Sequence, residues 1–438
     1  MFGSKSVPVA LGVLSSLLFS SVGWSFTKPD FPRLGGYLIG SPQNYEDPNY
    51  QKQIARLNVV ILNDWPGWNG FYTFGTSIQQ VTQAIKAINP NELVFVYQDI
   101  NEMQPSASVW SIVLNGLNSN HWWLTSSGVS GSPVTSTYGT GYQIMNTTTF
   151  SQKDSSGNHY VDWRAKYNVQ TFYTPNPAID GFYTDNVFWK PRVDGDWNMD
   201  GVVDSQNTPA VQTWFRQGYV AYFNDLKALM PGKYQIGNLS DFGASANVIT
   251  EYVGQLNGGV MEGLMGYSWS SETWGGWTEM MAEYRKQIGA TAAPQLAIFH
   301  QNGDPKDYQS FRYGFASCLM DEAYYYFSAN DSYSGVNWFD EFNASLGAET
   351  SPPATSPWQK GVYRRDFQNG IALVNPKGNG TQTVTLETTY RHISGSQSPS
   401  VNNGQTTTSV TLNDRDGIIL LRLQSIPKPL PPSNVSIN

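Results

Sequence analysis

The chain has 438 residues, enough for one large domain and a smaller one. Its formal net charge is −8 and its basic residues never cluster, which argues against nucleic acid as a partner. The single cysteine, Cys318, excludes an intrachain disulfide and a thiolate metal site, and the four histidines lack the spacing of zinc ligands. Charged residues and aromatic residues each make up 14% of the chain, a balance typical of exported proteins that bind neutral polar ligands.

Residues 1–25 predict a secretory signal peptide. Lys5 precedes an apolar stretch over residues 7–22, and small residues follow around Ser25. The stretch is too short for a membrane span, no cysteine follows it for a lipid anchor, and no later segment is apolar enough to cross a bilayer. We therefore expect a secreted or periplasmic protein without a membrane anchor.

Strand-like and helix-like segments then alternate over about 300 residues, which predicts an α/β fold, a (β/α)8 TIM barrel over residues 30–350. An open doubly wound sheet is the alternative, but no glycine-rich phosphate turn follows the first strand. The predicted strands are residues 34–39, 58–64, 93–99, 179–185, 234–238, 259–262, 295–301 and 323–328. The predicted helices are residues 76–88, 209–230, 243–256, 272–288 and 307–319.

Beyond a linker at residues 351–356 the pattern changes to short strands separated by turns. We expect a small all-β sandwich domain over residues 358–425 and a proline-rich tail over residues 426–438. The predicted strands of this domain are residues 362–367, 370–375, 382–387, 388–393, 407–412 and 417–423.

Polar side chains recur where the predicted barrel strands end, and this is where TIM barrels carry their functional residues. Any one of these residues could be an ordinary cap, but six strand ends of the same kind predict a binding site. The residues are Asp64, Asp99 with Glu102, Asp185 with Asn186, Asn238 with Asp241, Glu262, and His300 with Gln301 and Asn302.

Tryptophans also follow the strand ends, where indole faces can stack on the apolar faces of sugar rings. They are Trp65 and Trp68 after strand two, Trp189 after strand four, Trp269, Trp274 and Trp277 after strand six, and Trp338 after strand eight. Scattered tryptophans usually belong to the core, so the repeated position is what favours sugar binding. From both sets we predict substrate contacts for Asp64, Trp65, Asp99, Asn186, Trp189, Asn238, Trp269 and His300.

Asp185 ends an aromatic strand and is the first candidate for acid chemistry. Asp180 cannot be its partner, because five residues of strand separate the two by roughly 16 Å and place them on opposite faces. Glycosidase carboxylates lie about 5–9.5 Å apart. Asp180 is therefore expected to be structural, and Asp185 needs a partner from another strand. The alternative is that Asp185 only caps the following loop.

Several segments together resemble glycoside-hydrolase-like TIM barrels, in particular a glycosyl hydrolase group near the polygalactosaminidase-like enzymes. The resemblance spans nearly all of the chain after the signal peptide and indicates a fold and a reaction class, not a substrate. The segments are residues 120–124, 180–189, 259–263, 363–375 and 416–423.

In related barrels a catalytic Asp ends the fourth strand and a second carboxylate often ends the sixth, which implies Asp185 as nucleophile or base and Glu262 as general acid/base. Inward side chains of strands four and six start about 10 Å apart and can converge over the barrel mouth. Glycines and apolar residues flank Glu262, and an apolar surround would raise its pKa and keep it protonated. The alternative is a helix-start residue bonded to the backbone.

The loop after strand four carries a D-x-N-x-D-G motif, whose alternating oxygens suit a structural Ca2+ ion. It resembles the loop of dockerin modules, but position twelve is Asn207 rather than a bidentate Glu, so we expect modest affinity. The alternative is a polar turn without metal. The predicted ligands are Asp196, Asn198, Asp200 and Asp204.

The sequence thus predicts an exported glycoside hydrolase that cleaves a poly- or oligosaccharide with a carboxylate pair at the barrel mouth. A non-catalytic glycan-binding protein on the same scaffold is the first alternative, and a structural envelope protein is a weaker one. A carboxylate separation beyond about 10 Å would exclude the enzyme.

Overall fold

The computed structural model describes residues 26–40, 42–64, 77–137, 141–239 and 250–423. The predicted signal peptide and proline-rich tail lie outside the described residues, as do Trp65, Trp68 and Asp241. Across the described ranges, no helix combines the length and the hydropathy needed to span a membrane.

Eight parallel strands form one sheet in which the strand order follows the chain. A parallel bridge between Leu34, just before the first strand, and Tyr325 in the last brings the two edges together, so the sheet is a nearly closed barrel. The predicted TIM barrel is therefore confirmed. The strands are β1 Gly35–Leu38, β2 Val59–Leu62, β3 Leu93–Gln98, β4 Gly181–Thr184, β5 Tyr234–Asn238, β6 Gly258–Met265, β7 Leu296–Gly303 and β8 Tyr324–Ala329.

The strands are mostly apolar because the helices cover the outside of the barrel while side chains fill its inside. All four residues of β2 are fully buried, as the β-branched run predicts. At the other end of the barrel from the strand ends, Asp180 forms a 2.7 Å ion pair with Lys86 and accepts the backbone N–H of Val94. Asp180 is thus structural, as predicted.

Helices follow most of the strands, and the long predicted helices are present with ends shifted by one or two residues. Only residues 250–256 of the predicted helix at 243–256 are described, and they form a short 3-10 turn at Thr250–Tyr252. A long insertion between β3 and β4 adds two helices that the sequence did not predict. The helices are α1 Pro48–Ile54, α2 Ser77–Ile88, α3 Ser111–Ser119, α4 Tyr160–Asn168, α5 Pro209–Leu229, α6 Ser271–Gly289 and α7 Tyr308–Leu319.

The C-terminal segment is all-β, as predicted, but its five strands form one antiparallel sheet rather than the two separate sheets of a sandwich. The segments predicted as strands 382–387 and 388–393 are a single strand with a register shift between Thr385 and Tyr390. Such a shift bends a strand, which lets one sheet enclose its own small core. The strands are β9 Tyr363–Phe367, β10 Gly370–Asn375, β11 Gln382–His392, β12 Thr406–Leu412 and β13 Asp416–Arg422, in the order β9-β10-β13-β11-β12.

The β-domain packs directly on the barrel through α7. Arg312 of α7 forms a buried ion pair of 3.1 Å with Asp416, and a Cβ added to Gly417 would lie 2.5 Å from the Cβ of Ala316. Trp277 is buried at this boundary, with its ring centroid 4.3 Å from that of Tyr363. The prediction that Trp277 lies at a sugar site is therefore wrong, because the β-domain covers it.

Candidate active site

Asp185 and Glu262 lie at the carboxyl end of the barrel, and both are half-buried and open to the mouth. Asp185 directly follows β4. Glu262 lies inside β6, where the pairing with β7 shifts register between Met261 and Met265. Irregularities of this kind are frequent beside active sites, where they re-aim a side chain.

A close approach of β5 and β6 lies just below Glu262. Gly259 has φ +155°, and a Cβ at this position would lie 1.7 Å from the carbonyl oxygen of Gly237. Only glycine fits such a contact. The contact places Asn238, the next residue of β5, beside Glu262.

Asn238 bridges the two carboxylates. Its Nδ2 donates to Oδ1 of Asp185 and to Oε2 of Glu262, both at 3.0 Å. Because both oxygens lie within 3.0 Å of one nitrogen, they can be no more than about 6 Å apart, which is inside the range that glycoside hydrolysis uses. The strand ends therefore converge, as the sequence predicted. The Asn238 side chain binds the two carboxylates and does not point only toward substrate.

Two tyrosines and one backbone amide complete the surroundings of Asp185. Tyr97 donates to its Oδ2 at 2.7 Å, and the Tyr183 hydroxyl lies 3.4 Å from its Oδ1. The N–H of Asn186 donates to Oδ1 at 2.9 Å, with Asn186 in the left-handed region at φ +55°. These hydrogen bonds hold the carboxyl group of Asp185 in place.

Glu262 has a different environment. Burial, and next the negative charge of Asp185, raise its pKa above the ordinary value, while hydrogen bonds from Tyr333 and Asn238 oppose the shift. The Tyr333 hydroxyl donates to Oε1 at 2.7 Å. The direction of this shift agrees with the one expected from an apolar surround. A carboxyl with a raised pKa beside a second carboxyl that accepts several hydrogen bonds is the pattern of an acid and a nucleophile.

Asp99 lies next to the pair. Its Oδ2 accepts from Nδ2 of Asn186 at 3.0 Å, which fixes the amide after Asp185. Burial, followed by the charges of Asp185 and Glu102, raises the pKa of Asp99 to about 8. Below that pH Asp99 is mostly uncharged, so it adds a hydrogen-bonding group and not another negative charge beside Asp185.

Three predicted substrate contacts, His300, Asp64 and Asn238, are buried. His300 has 0% exposure, lies stacked on Tyr326 and shares a 2.7 Å hydrogen bond between Nε2 and Ser328. Burial lowers its pKa to about 4, so the ring is neutral at ordinary pH. Asp64 is only 8% exposed and Asn238 7%. A strand-end position does not reveal the depth of a side chain, so the sequence could not show that these residues are buried.

The tryptophans that were predicted to bind sugar, and that the structure describes, differ in their exposure and in their contacts. Trp269 is 44% exposed and stacks on Tyr267 with ring centroids 4.5 Å apart, beside the Glu262 end of the mouth. Trp189 is half-buried and contacts Lys190. Trp274 is 76% exposed. Trp338 instead packs on the guanidinium of Arg56.

The D-x-N-x-D-G loop forms the predicted sharp turn, with Gly201 at φ +92°. The backbone N–H groups of Asp200 and Gly201 donate to Asp196, and those of Trp197 and Asn198 donate to Asp204. No group of three or more His, Cys, Asp or Glu side chains that could hold a metal is found among the residues described. Oδ2 of Asp196 accepts the N–H groups of Gly128 and Gly201, and Oδ2 of Asp204 accepts two as well, so backbone donors occupy oxygens that the sequence assigned to calcium. Calcium binding stays a prediction.

The comparison with protein families decides the identity. Residues 86–371 match the family described as hypothetical glycosyl hydrolase family 15, which is more than half of the chain. The chain belongs to this family. Glycoside hydrolysis is accordingly its general activity, and the resemblance drawn from the sequence is confirmed. The match runs from the end of α2 into β10, so it includes both Asp185 and Glu262.

Solved structures with similar folds include the following three proteins. Amy13B of Eubacterium rectale superposes with a TM-score of 0.51 at 9% identity, covering 92% of this chain and 94% of that one. An Anoxybacillus alpha-amylase gives 0.49 at 10% identity, with 90% and 98% covered. The glycoside hydrolase domain of PelA from Pseudomonas aeruginosa gives 0.40 at 10% identity, with 71% and 98% covered. At such identities only the fold is comparable. No curated protein matches the sequence significantly.

Proposed function

We propose that this protein is an exported, retaining glycoside hydrolase in which Asp185 is the nucleophile and Glu262 the general acid/base. The observation that carries the proposal is the amide of Asn238, which donates to both carboxylates at 3.0 Å. The predicted signal peptide supports export, and the exposed Trp269, stacked on Tyr267, supports a poly- or oligosaccharide substrate.

The separation of the carboxylates favours retention of anomeric configuration. Retaining enzymes hold the two groups about 5–5.5 Å apart, whereas inverting enzymes need about 6.5–9.5 Å for a water molecule. An amide nitrogen has two hydrogens about 120° apart, so one hydrogen to each carboxylate places the two oxygens about 5 Å apart. That distance leaves no room for the water of the inverting route.

In the first step Asp185 attacks the anomeric carbon and Glu262 gives its proton to the departing glycosidic oxygen. The glycosidic bond breaks as the ester to Asp185 forms. In the second step Glu262, now ionised, takes a proton from water, and the resulting oxygen displaces Asp185 from the anomeric carbon. Glu262 ends protonated and Asp185 ionised, so the enzyme is regenerated.

The test begins with a panel of bacterial and plant polysaccharides and reducing-end detection. On a substrate that is cleaved, proton NMR of the first product should show the anomer of the starting glycoside. Asp185→Asn keeps the shape of the side chain and should lower turnover by several orders of magnitude while sugar binding survives. An inverted first product, or full turnover by Asp185→Asn, would contradict the assignment.

A glycan-binding protein without activity remains the alternative in another class. The carboxylate separation, well inside 10 Å, removes the geometric objection to catalysis that the sequence left open. Binding of a glycan without release of reducing ends, in wild type and in Asp185→Asn alike, would favour this alternative.

A further inference from the structure

The hydroxyl of Tyr333 lies between two carboxylates. Its oxygen is 2.7 Å from Oε1 of Glu262 and 2.8 Å from Oδ1 of Asp331. A tyrosine hydroxyl has one proton to donate and can accept as well. It can therefore donate to only one of the two carboxylates at a time, and the other contact needs a proton from elsewhere.

Asp331 is held in a constrained position to make this contact. It follows Asn330 in the turn after β8, and both residues have positive φ, +51° and +63°. Its backbone N–H donates to Oδ1 of Asn302 at 2.7 Å, and the Tyr267 hydroxyl donates to its Oδ1 at 2.7 Å. Strained backbone of this kind collects at functional sites, and here it aims a carboxylate at Tyr333.

We propose that Tyr333 and Asp331 are positioning residues that form a hydrogen-bond relay following the protonation state of Glu262. When Glu262 is protonated, it donates to the Tyr333 oxygen and Tyr333 donates to Asp331. When Glu262 is ionised, the hydroxyl of Tyr333 turns and donates to Glu262. No covalent bond changes and Tyr333 keeps its own proton throughout.

The relay deepens the proposed function and rests on it, because a retaining acid/base must work in both states within one turnover. Without Asp331, the Tyr333 hydroxyl would always donate its hydrogen bond to Glu262 and would favour the ionised, base form of Glu262. With Asp331 present, the protonated acid form also has a complete set of partners. The relay therefore keeps both forms usable.

Other groups also act on Glu262 and must be separated from the relay in a test. Asp185 and Asp331 are the acidic groups whose charges raise its pKa, and Asn238 donates to it. The neighbouring titratable rings that couple to Glu262 or its partners are Tyr37, Tyr183, Tyr267, Tyr326 and His300.

Two substitutions of Asp331 separate its charge from its role as acceptor. Asp331→Gly removes both and suits the positive φ, whereas Asp331→Asn removes only the charge and keeps an acceptor oxygen. The pKa of Glu262 can be followed without substrate by infrared titration of the protonated carboxyl band that Glu262→Gln abolishes. If the pKa of Glu262 did not change in these variants, only the relay would be contradicted, because the proposed function is tested separately by turnover.

We expect Asp331→Gly to lower the pKa of Glu262 by about one pH unit, the size of one net hydrogen bond. Asp331→Asn should lower it less, and Tyr333→Phe should raise it. In the Tyr333→Phe background, Asp331→Gly should add little, because the two residues act as a unit. If Asp331→Gly and Asp331→Asn shifted the pKa of Glu262 equally, and the shifts persisted in the Tyr333→Phe background, Asp331 would act only as a distant charge. That result would overturn the relay. An unchanged pKa in Asp331→Gly would overturn it too.

Discussion

The hydroxyl of Tyr97 donates a 2.7 Å hydrogen bond to Oδ2 of Asp185. In the proposed mechanism this bond holds the carboxylate that attacks in the first step and departs in the second. Tyr97 lies on β3 and Asp185 directly follows β4, so two neighbouring strands fix the orientation of the nucleophile.

Tyr97→Phe should slow turnover by about 10- to 100-fold, because a hydrogen bond to a charged group contributes about 1.5–3 kcal/mol. Steady-state kinetics on a confirmed substrate measure the loss. Tyr183→Phe is the matched control, since the Tyr183 hydroxyl is 3.4 Å from the same carboxylate and should matter less. A larger loss in Tyr183→Phe would reverse the ranking of the two tyrosines.

The second prediction concerns the role of Glu262. Glu262→Gln should lose most activity on natural glycosides, whose leaving group needs a proton, and much less of the first step on an aryl glycoside. Asp185→Asn should show no such dependence on the leaving group. If both variants respond alike to the leaving group, the roles of acid and nucleophile are not divided as proposed.

The pH dependence follows from the direction of the Glu262 shift. In the proposed mechanism the acid form of Glu262 acts in the first step, and the pKa of Glu262 is raised above the ordinary 4.5. The value of kcat/KM should therefore fall as pH rises through this raised pKa, and activity should persist above pH 4.5. With an aryl glycoside the alkaline fall should flatten. A fall of kcat/KM at or below pH 4.5 would contradict the raised pKa that burial gives Glu262.

Much of this arrangement could be predicted from local sequence. Asp185 ends an apolar strand, and strand ends meet at one edge of the barrel, so its location follows from topology alone. Tyr97 and Tyr183 were missed, although a signal existed. Side chains alternate along a strand, so a residue two places before a strand-end carboxylate faces the same side, as Tyr183 does before Asp185.

Other parts could not be predicted, for physical reasons. Tyr333 and Asp331 follow β8 in a loop whose path depends on contacts with Asn302 and Tyr267, and no periodicity encodes such contacts. His300 has the correct position on its strand, but the rings stacked above it are supplied by distant segments. The two helices between β3 and β4 lie in an insertion whose apolar residues follow no long helical period.

Calcium gives a further prediction. The oxygen spacing of Asp196, Asn198, Asp200 and Asp204 leads us to expect a higher Tm with calcium than with a chelator, and Asp200→Ala should abolish this difference. Asp200 also accepts the N–H of Val202, so the variant can be less stable in both conditions, and only the difference between conditions counts. If wild type had the same Tm with calcium and with the chelator, the loop would be a turn held by N–H donors and not a calcium site.

The boundary between barrel and β-domain can be tested at Gly417. A Cβ there would lie 2.5 Å from Ala316 and 2.6 Å from the Arg312 carbonyl oxygen. Gly417→Ala should therefore cost about 1–3 kcal/mol of unfolding free energy, as overpacking does. Gly335→Ala is the control, because nothing lies within 4 Å of the added carbon. Equal denaturation midpoints for the two variants would show that the domains are not packed this tightly.

Cys318 is the single cysteine of the chain and is buried in α7, the helix on which the β-domain rests. Burial raises the pKa of its thiol, so the folded protein offers thiol reagents almost nothing to react with. The rate of Cys318 labelling therefore reports how often the helix opens to solvent. A cysteine introduced on the rim of the barrel would, in turn, be the one site in the folded molecule at which a fluorophore attaches.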